Sequence, residues 1–153
     1  MKPAPFAYHR PADLTEATQL LAEFGDEAKV LAGGQSLVPM LNLRLAFFDH
    51  LVDISRLDEL KGIERSNGSL TIRAGTTDAT VGADDQVRSA VPLLTRATPH
   101  IGHFQIRNRG TFGGSIAHAD PAGEYPAVAL ALDAQMEAVS PTGRREIAAA
   151  DFF

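Results

Sequence analysis

The sequence has no cysteine. This excludes structural disulfides, cysteine-ligated iron–sulfur clusters, a cysteine nucleophile and a cysteinyl bond to a cofactor. Positive charge is also scarce. Fourteen Lys and Arg face nineteen Asp and Glu, for a net charge of −5, which argues against broad nucleic-acid binding, since that needs a concentrated basic surface. No apolar run is long enough to cross a bilayer. The opening residues, Met1 to Arg10, lack the apolar stretch of a signal peptide, so a cytoplasmic location is expected. No solenoid-type repeat and no low-complexity tract occurs. Three familiar site patterns are missing too. There is no G-x-x-x-x-G-K-[ST], no G-x-G-x-x-G after a strand, and no recognisable Ser/His/Asp grouping.

What is present is enough apolar material for a core: 44% of 153 residues, which fits one domain or two small packed subdomains. Asp13 and Glu16 have capping-box spacing, with Asp as the capping residue. Ala17, Leu20, Leu21 and Phe24 then share a helical face, and Gly25 is a natural stop. Residues 29–32 read as a short buried strand. Ser36 is placed to cap a following helix whose inner face is Leu37, Met40 and Leu41. Residues 51–54 read as a second strand. The signals change near Leu57. Asn67-Gly68 suits a type I′ turn between strands 63–66 and 69–73, with Leu70, Ile72 and Ala74 on one face. A helix is expected over 86–98, or from Pro92, with Val87, Ala90, Leu93, Leu94 and Ala97 inward. A further helix is expected over 125–132, and strands over 135–140 and 145–148. The whole reads as α+β, with one subdomain over residues 1–56 and a second, mostly antiparallel one over 57–153.

Two segments carry the chemistry. One is Leu31-Ala32-Gly33-Gly34-Gln35-Ser36-Leu37. The other runs from Arg109-Gly110-Thr111-Phe112-Gly113-Gly114-Ser115 to His118-Ala119-Asp120-Pro121. Each sets paired glycines beside hydroxyl residues. Glycine lets main chain approach an anion closely, and successive exposed N–H groups make an anion-binding concavity. A helix starting after Ser36 adds its N-terminal dipole. Two such loops converging suit a diphosphate, and hence a dinucleotide. Either glycine pair, taken alone, is more often an ordinary turn.

At these loops the sequence resembles a known family. Residues 32–41 and 105–121 resemble, in order, the two FAD loops of the medium subunit of molybdenum hydroxylases of the carbon monoxide dehydrogenase and xanthine dehydrogenase type. Weaker resemblance covers nearly the whole chain, including Ala150-Asp151-Phe152-Phe153. The resemblance implies an FAD-binding fold of the vanillyl-alcohol oxidase and p-cresol methylhydroxylase type, built of two α/β subdomains. It implies noncovalent FAD, with main-chain N–H groups of Ala32, Gly33, Gly34, Gln35, Ser36 and Leu37 on the diphosphate. Thr111, Gly114, Ser115 and His118 would line the diphosphate and ribityl chain, with Gly110 packed by the flavin. Asp120 and Glu124 are further polar candidates, and Lys29 another. Complete members continue into a C-terminal domain about as long again, so a missing C-terminal domain is expected.

The resemblance further implies a division of labour. Substrate is hydroxylated at a molybdenum cofactor on a large subunit. Electrons cross two 2Fe–2S clusters on a small subunit, reach FAD here, and leave to an external acceptor. No catalytic acid or base is therefore named, and no metal site. Two positions depart from the family pattern. Asp78 stands where a His or an aromatic is frequent. Phe112 replaces a smaller aliphatic residue and is expected to crowd the second loop. A truncated non-catalytic remnant and a stand-alone flavin oxidase fragment are the alternatives.

Outside the loops, His100 and His103 are three apart but lack further ligands for a metal. Arg107 and Arg109 would share a face if they lay in a strand. Asp84-Asp85 reads as a solvated loop, Asp120-Pro121 as a turn. The two final aromatics call for a covering surface beyond the chain.

Overall fold

The computed structural model describes residues 1–153. Its first part is a three-stranded parallel sheet. Strand β1 (Ala7–His9) leads to helix α1 (Leu14–Phe24), then to β2 (Ala28–Leu31), α2 (Leu37–Asn42) and β3 (His50–Asp53). The strand order is β1-β3-β2. The last strand therefore lies in the middle, where Leu51 and Val52 are fully buried. Strand β1 has only three residues, too few for any period to register in the sequence. The Tyr8 hydroxyl donates to Asp53 and ties β1 to the end of β3.

Helix α1 starts as its capping spacing predicts. The Asp13 carboxylate accepts from the Glu16 amide at 2.8 Å, while the Glu16 carboxylate reaches back to the Ala12 amide at 2.6 Å. Gly25 ends the helix at φ 53°. Ala17, Val52 and Leu57 form a small core, joined by Leu20, Leu21, Ile54 and Leu60. Burying one such aliphatic side chain is worth about 1.5–3 kcal/mol.

The second part holds two hairpins and a set of short helices. Strands β4 (Ile63–Ser66) and β5 (Ser69–Ile72) meet at Asn67 (φ 51°) and Gly68 (φ 83°), the positive dihedrals of a type I′ turn. Leu70 and Ile72 pack against the main core, whereas Ala74 lies past the strand and is exposed. The helix expected over 86–98 is broken in two. After α3 (Asp78–Ala83) come α4 (Asp85–Ala90) and α5 (Pro92–Ala97). Pro92 has no N–H to continue α4, so it opens a new helix at the first position. The break re-aims the apolar face: Val87 and Leu94 are buried, but Ala90 and Leu93 are exposed. Of the expected Asp84-Asp85 loop, only Asp84 lies outside the helices, between α3 and α4. It caps α4 by accepting from the Val87 amide, and Asp85 pairs with Arg88 in the first turn.

Then come α6 (Phe104–Arg107), α7 (Phe112–His118), α8 (Glu124–Ala131), hairpin strands β6 (Gln135–Ser140) and β7 (Gly143–Ala148), and a last turn α9 (Ala149–Phe152). Arg107 thus closes a helix and donates to the carbonyls of Ile101 and Gly102, which removes the strand-face pairing with Arg109. The main core is Val81, Val87, Leu94, Ile116, Tyr125, Val128 and Ala129. Phe112 packs onto it, 4.9 Å ring to ring from Tyr125. It therefore fills the interior and does not crowd the loop. Phe152 finds the same core within the chain, while Phe153 is 38% exposed. Helix α1 packs against β6 and joins the two parts.

Candidate functional site

The first glycine segment is the turn from β2 into α2. Gly34 sits at φ 72° with Val38 and Leu31 close over it, so a side chain there is both strained and crowded. The Gln35 side-chain amide donates to the Gly33 carbonyl at 3.0 Å and holds the turn closed. No main-chain N–H from Ala32 through Leu37 has an acceptor anywhere in the chain. Yet these residues are half-buried or exposed, so the donors are reachable. Main-chain donors are normally paired. A consecutive run of unpaired, accessible ones is a concavity for an anion. Ser36 does not serve as expected. Its backbone is already helical (φ −99°, ψ −49°) and its hydroxyl makes no capping bond, because a capping side chain needs extended backbone to reach forward.

The second segment has the opposite character. Residues 74–78, a strap between β5 and α3, run antiparallel to it. The Asp78 amide donates to the Gly110 carbonyl at 3.0 Å, and the amides of Phe112 and Gly113 donate to Thr76 and Ala74, each at 2.9 Å. The Thr111 hydroxyl accepts from the Gly114 amide at 3.1 Å, and the Thr111 carbonyl from Ser115 at 3.0 Å. The first-turn donors of α7 are therefore all taken within the chain. They form no second concavity. What this segment still offers is the Ser115 and His118 side chains, which carry no hydrogen bond in the chain and stand three apart on one helical face.

The two segments touch. A Cβ on Gly33 would fall 2.1 Å from the Arg109 carbonyl oxygen and 2.8 Å from the Gly110 Cα. A Cβ on Gly114 would lie 3.9 Å from the Ala32 Cβ. So Gly33 abuts Arg109 and Gly110, and Ala32 lies near Gly114, which brings the turn with the unpaired amides against the start of α7. Lys29 is directed elsewhere, its ammonium 5.6 Å from the centre of the Phe48 ring. Asp120 turns back to accept from the Ala122 amide at 2.8 Å. Glu124 opens α8.

Behind the second segment lies a group whose part the sequence did not reveal. Asp78, the first residue of α3, is 3% exposed. Its Oδ2 stands where a Gly110 side chain would project, 2.3 Å from that Cβ position, and its Oδ1 has no hydrogen-bond partner. Burial pushes its carboxyl up to about 6; the negative charge of Glu124 adds to this and the Arg107 guanidinium opposes it. The available signal was Thr77, whose hydroxyl accepts from the Thr80 amide and caps α3.

Known proteins are similar to this chain over nearly its whole length. Residues 4–153 match the family described as the FAD binding domain in molybdopterin dehydrogenase. The carbon monoxide dehydrogenase medium chain of Hydrogenophaga pseudoflava is 42% identical over the whole of this chain and 53% of its own length. Subunit alpha of the 6-hydroxypseudooxynicotine dehydrogenase complex of Paenarthrobacter nicotinovorans is 47% identical over 96% of this chain and 50% of its own. A solved structure of the Hydrogenophaga pseudoflava enzyme, in a form lacking the Mo-pyranopterin moiety, superposes with a TM-score of 0.95 at 43% identity, over 98% of this chain and 52% of that one. The chain spans about half the length of the curated relatives it matches. It belongs to the family of FAD binding domains in molybdopterin dehydrogenases.

Proposed function

We propose that this chain is the FAD-binding part of the flavoprotein subunit of a molybdenum hydroxylase. In this reading, electrons pass from the iron–sulfur clusters of a small subunit, through FAD held here, to an external acceptor. A large subunit carries the molybdenum cofactor. The fold is then of the vanillyl-alcohol oxidase and p-cresol methylhydroxylase type, with residues 1–56 and 57–153 as its two FAD-binding subdomains, in the cytoplasm.

One observation carries the reading: the unpaired amides of residues 32–37 open where the second glycine segment packs against Gly33. A diphosphate satisfies such donors and gains several charge-assisted hydrogen bonds at once. Thr111, Gly114, Ser115 and His118 would line the diphosphate and ribityl chain, with Gly110 packed by the flavin. Glu124, Asp120 and Lys29 stand further out in this scheme. Bound FAD supplies the electron-carrying ring. The chain binds it by the diphosphate, orients it between the two segments, and donates no acid or base to a substrate. These residues contain no cysteine, so in this reading the cluster electrons arrive from outside them.

Titration of the purified chain with FAD and with FMN tests this. FAD should bind one to one and give oxidised-flavin absorbance. FMN lacks the diphosphate and should bind at least about 100-fold more weakly, a difference of roughly 2.7 kcal/mol. Equal binding of the two, or none of FAD, overturns the proposal.

A further inference from the structure

We propose that Asp78 is a positioning residue for the second glycine segment: its carboxyl, lodged against Gly110, takes up and releases a proton, and the hold on FAD tightens and loosens with it. This rests on the reading that residues 110–118 border FAD.

The argument begins with geometry. Asp78 is joined to the segment twice. Its amide binds the Gly110 carbonyl, and its Oδ2 occupies the space a Gly110 side chain would need. Gly110 in turn abuts Gly33 of the first segment. A displacement of the Asp78 carboxyl is therefore passed through one residue to the contact between the segments. The carboxyl is almost fully buried with Oδ1 unpartnered. Such a group is stable when neutral; when charged it must draw in water or a cation, or move.

The groups acting on it are few. Arg107 of α6 attracts the charged form, and Glu124 of α8 repels it. Tyr125 of α8 also senses its charge, and burial raises that phenol above its ordinary range. The other elements packed on α3 are α4, α5 and the turn Thr98–His100. They bring Asp85, Arg88, Arg96 and His100, none of which is among the groups acting on the Asp78 carboxyl. No neighbour forms an ion pair with it. Protonation thus falls in a range that ordinary cellular pH approaches, and burial is its main cause. Charging Asp78 both disturbs Gly110 and places a negative charge near an anionic cofactor. Both effects weaken FAD binding.

The test is the FAD dissociation constant measured from pH 5 to pH 8 in the chain, in Asp78→Asn and in Glu124→Gln. In the unmodified chain, affinity should fall about tenfold or more as pH rises through about 6. Asp78→Asn should keep the low-pH affinity and lose the dependence. Glu124→Gln should keep the dependence with its midpoint at lower pH, since a repelling charge has gone. If Asp78→Asn does not fold, the infrared carbonyl band of a protonated carboxyl in the unmodified chain replaces it. That band should disappear over the same interval, and in Glu124→Gln it should disappear at lower pH. An unchanged pH profile in Asp78→Asn, or a midpoint indifferent to Glu124→Gln, overturns the role of Asp78 and leaves the FAD assignment standing. No FAD binding at any pH removes the assignment, and the role of Asp78 with it.

Discussion

The two glycine segments look alike on paper and are opposites in space. Residues 32–37 leave their main-chain donors open, whereas residues 112–115 use theirs inside the chain. The difference comes from the neighbours. No acceptor meets the amides of the first turn. The second is held by the strap 74–78 and by the Thr111 cap. One segment therefore keeps free donors and the other is braced by its neighbours; in the proposed reading the first is the binding surface and the second its wall. Glycine has a different task in each: conformational freedom at Gly34, where φ is positive, and close backbone approach at Gly33 and Gly113.

The sharpest way to break this comparison is Gly33→Ala. The new methyl would overlap the Arg109 carbonyl, so the segments must part. FAD affinity should drop by about 100-fold or more, with a smaller loss of stability, as calorimetric titration and thermal unfolding would show. Equal affinity would mean that the contact between segments is irrelevant to binding.

A second change sharpens the contrast. A methyl at Gly113 would fall 2.4 Å from the Ala74 Cβ and 2.6 Å from its Cα. Gly113→Ala should therefore act on folding first, at about 2–3 kcal/mol, with the folded fraction still binding FAD. Denaturant unfolding checks it; a loss of affinity with stability intact would reverse the roles assigned to the two segments.

The wall also carries a pH signature of similar size. The folded carboxyl of Asp78 is raised from 3.8 to about 6. A raised acid contributes stability that is complete below the unfolded value and is lost as pH rises through the folded one. Between those limits the chain should lose about 3 kcal/mol. Asp78→Asn should abolish that portion of the pH dependence of unfolding.

Smaller effects complete the series. Thr111→Ala removes the cap of α7 and should cost about 1 kcal/mol. Ser36→Ala removes a hydroxyl that caps nothing and should change stability by less than about 0.5 kcal/mol. A larger loss at Ser36 would show that its hydroxyl supports the first turn after all.

Much of this was legible in residues of local meaning. Asp13 with Glu16, and Asn67-Gly68, each act within a few positions along the chain, so sequence spacing is enough to place them. Over 86–98 the sequence left open whether Pro92 interrupts a helix or starts one; it starts α5, and only packing shows which side Leu93 faces. Strands as short as β1, and helices such as α3 and α6, offer no period to detect. The run at Ala32 to Leu37 was visible as an anion-binding pattern, but its openness was not, since the second glycine pair has the same composition and is closed.

The sequence by itself determined the two glycine turns, the lack of any cluster-binding thiol and the alternation of caps and strands, because these depend on residue type and on neighbours in the chain. Only the tertiary structure decided which turn keeps its donors free, why Gly33 and Gly113 tolerate no side chain, and that Asp78 lies against Gly110. Those outcomes depend on which distant backbone arrives alongside, and a hydrogen bond or a steric contact across thirty or more residues leaves no mark on local sequence.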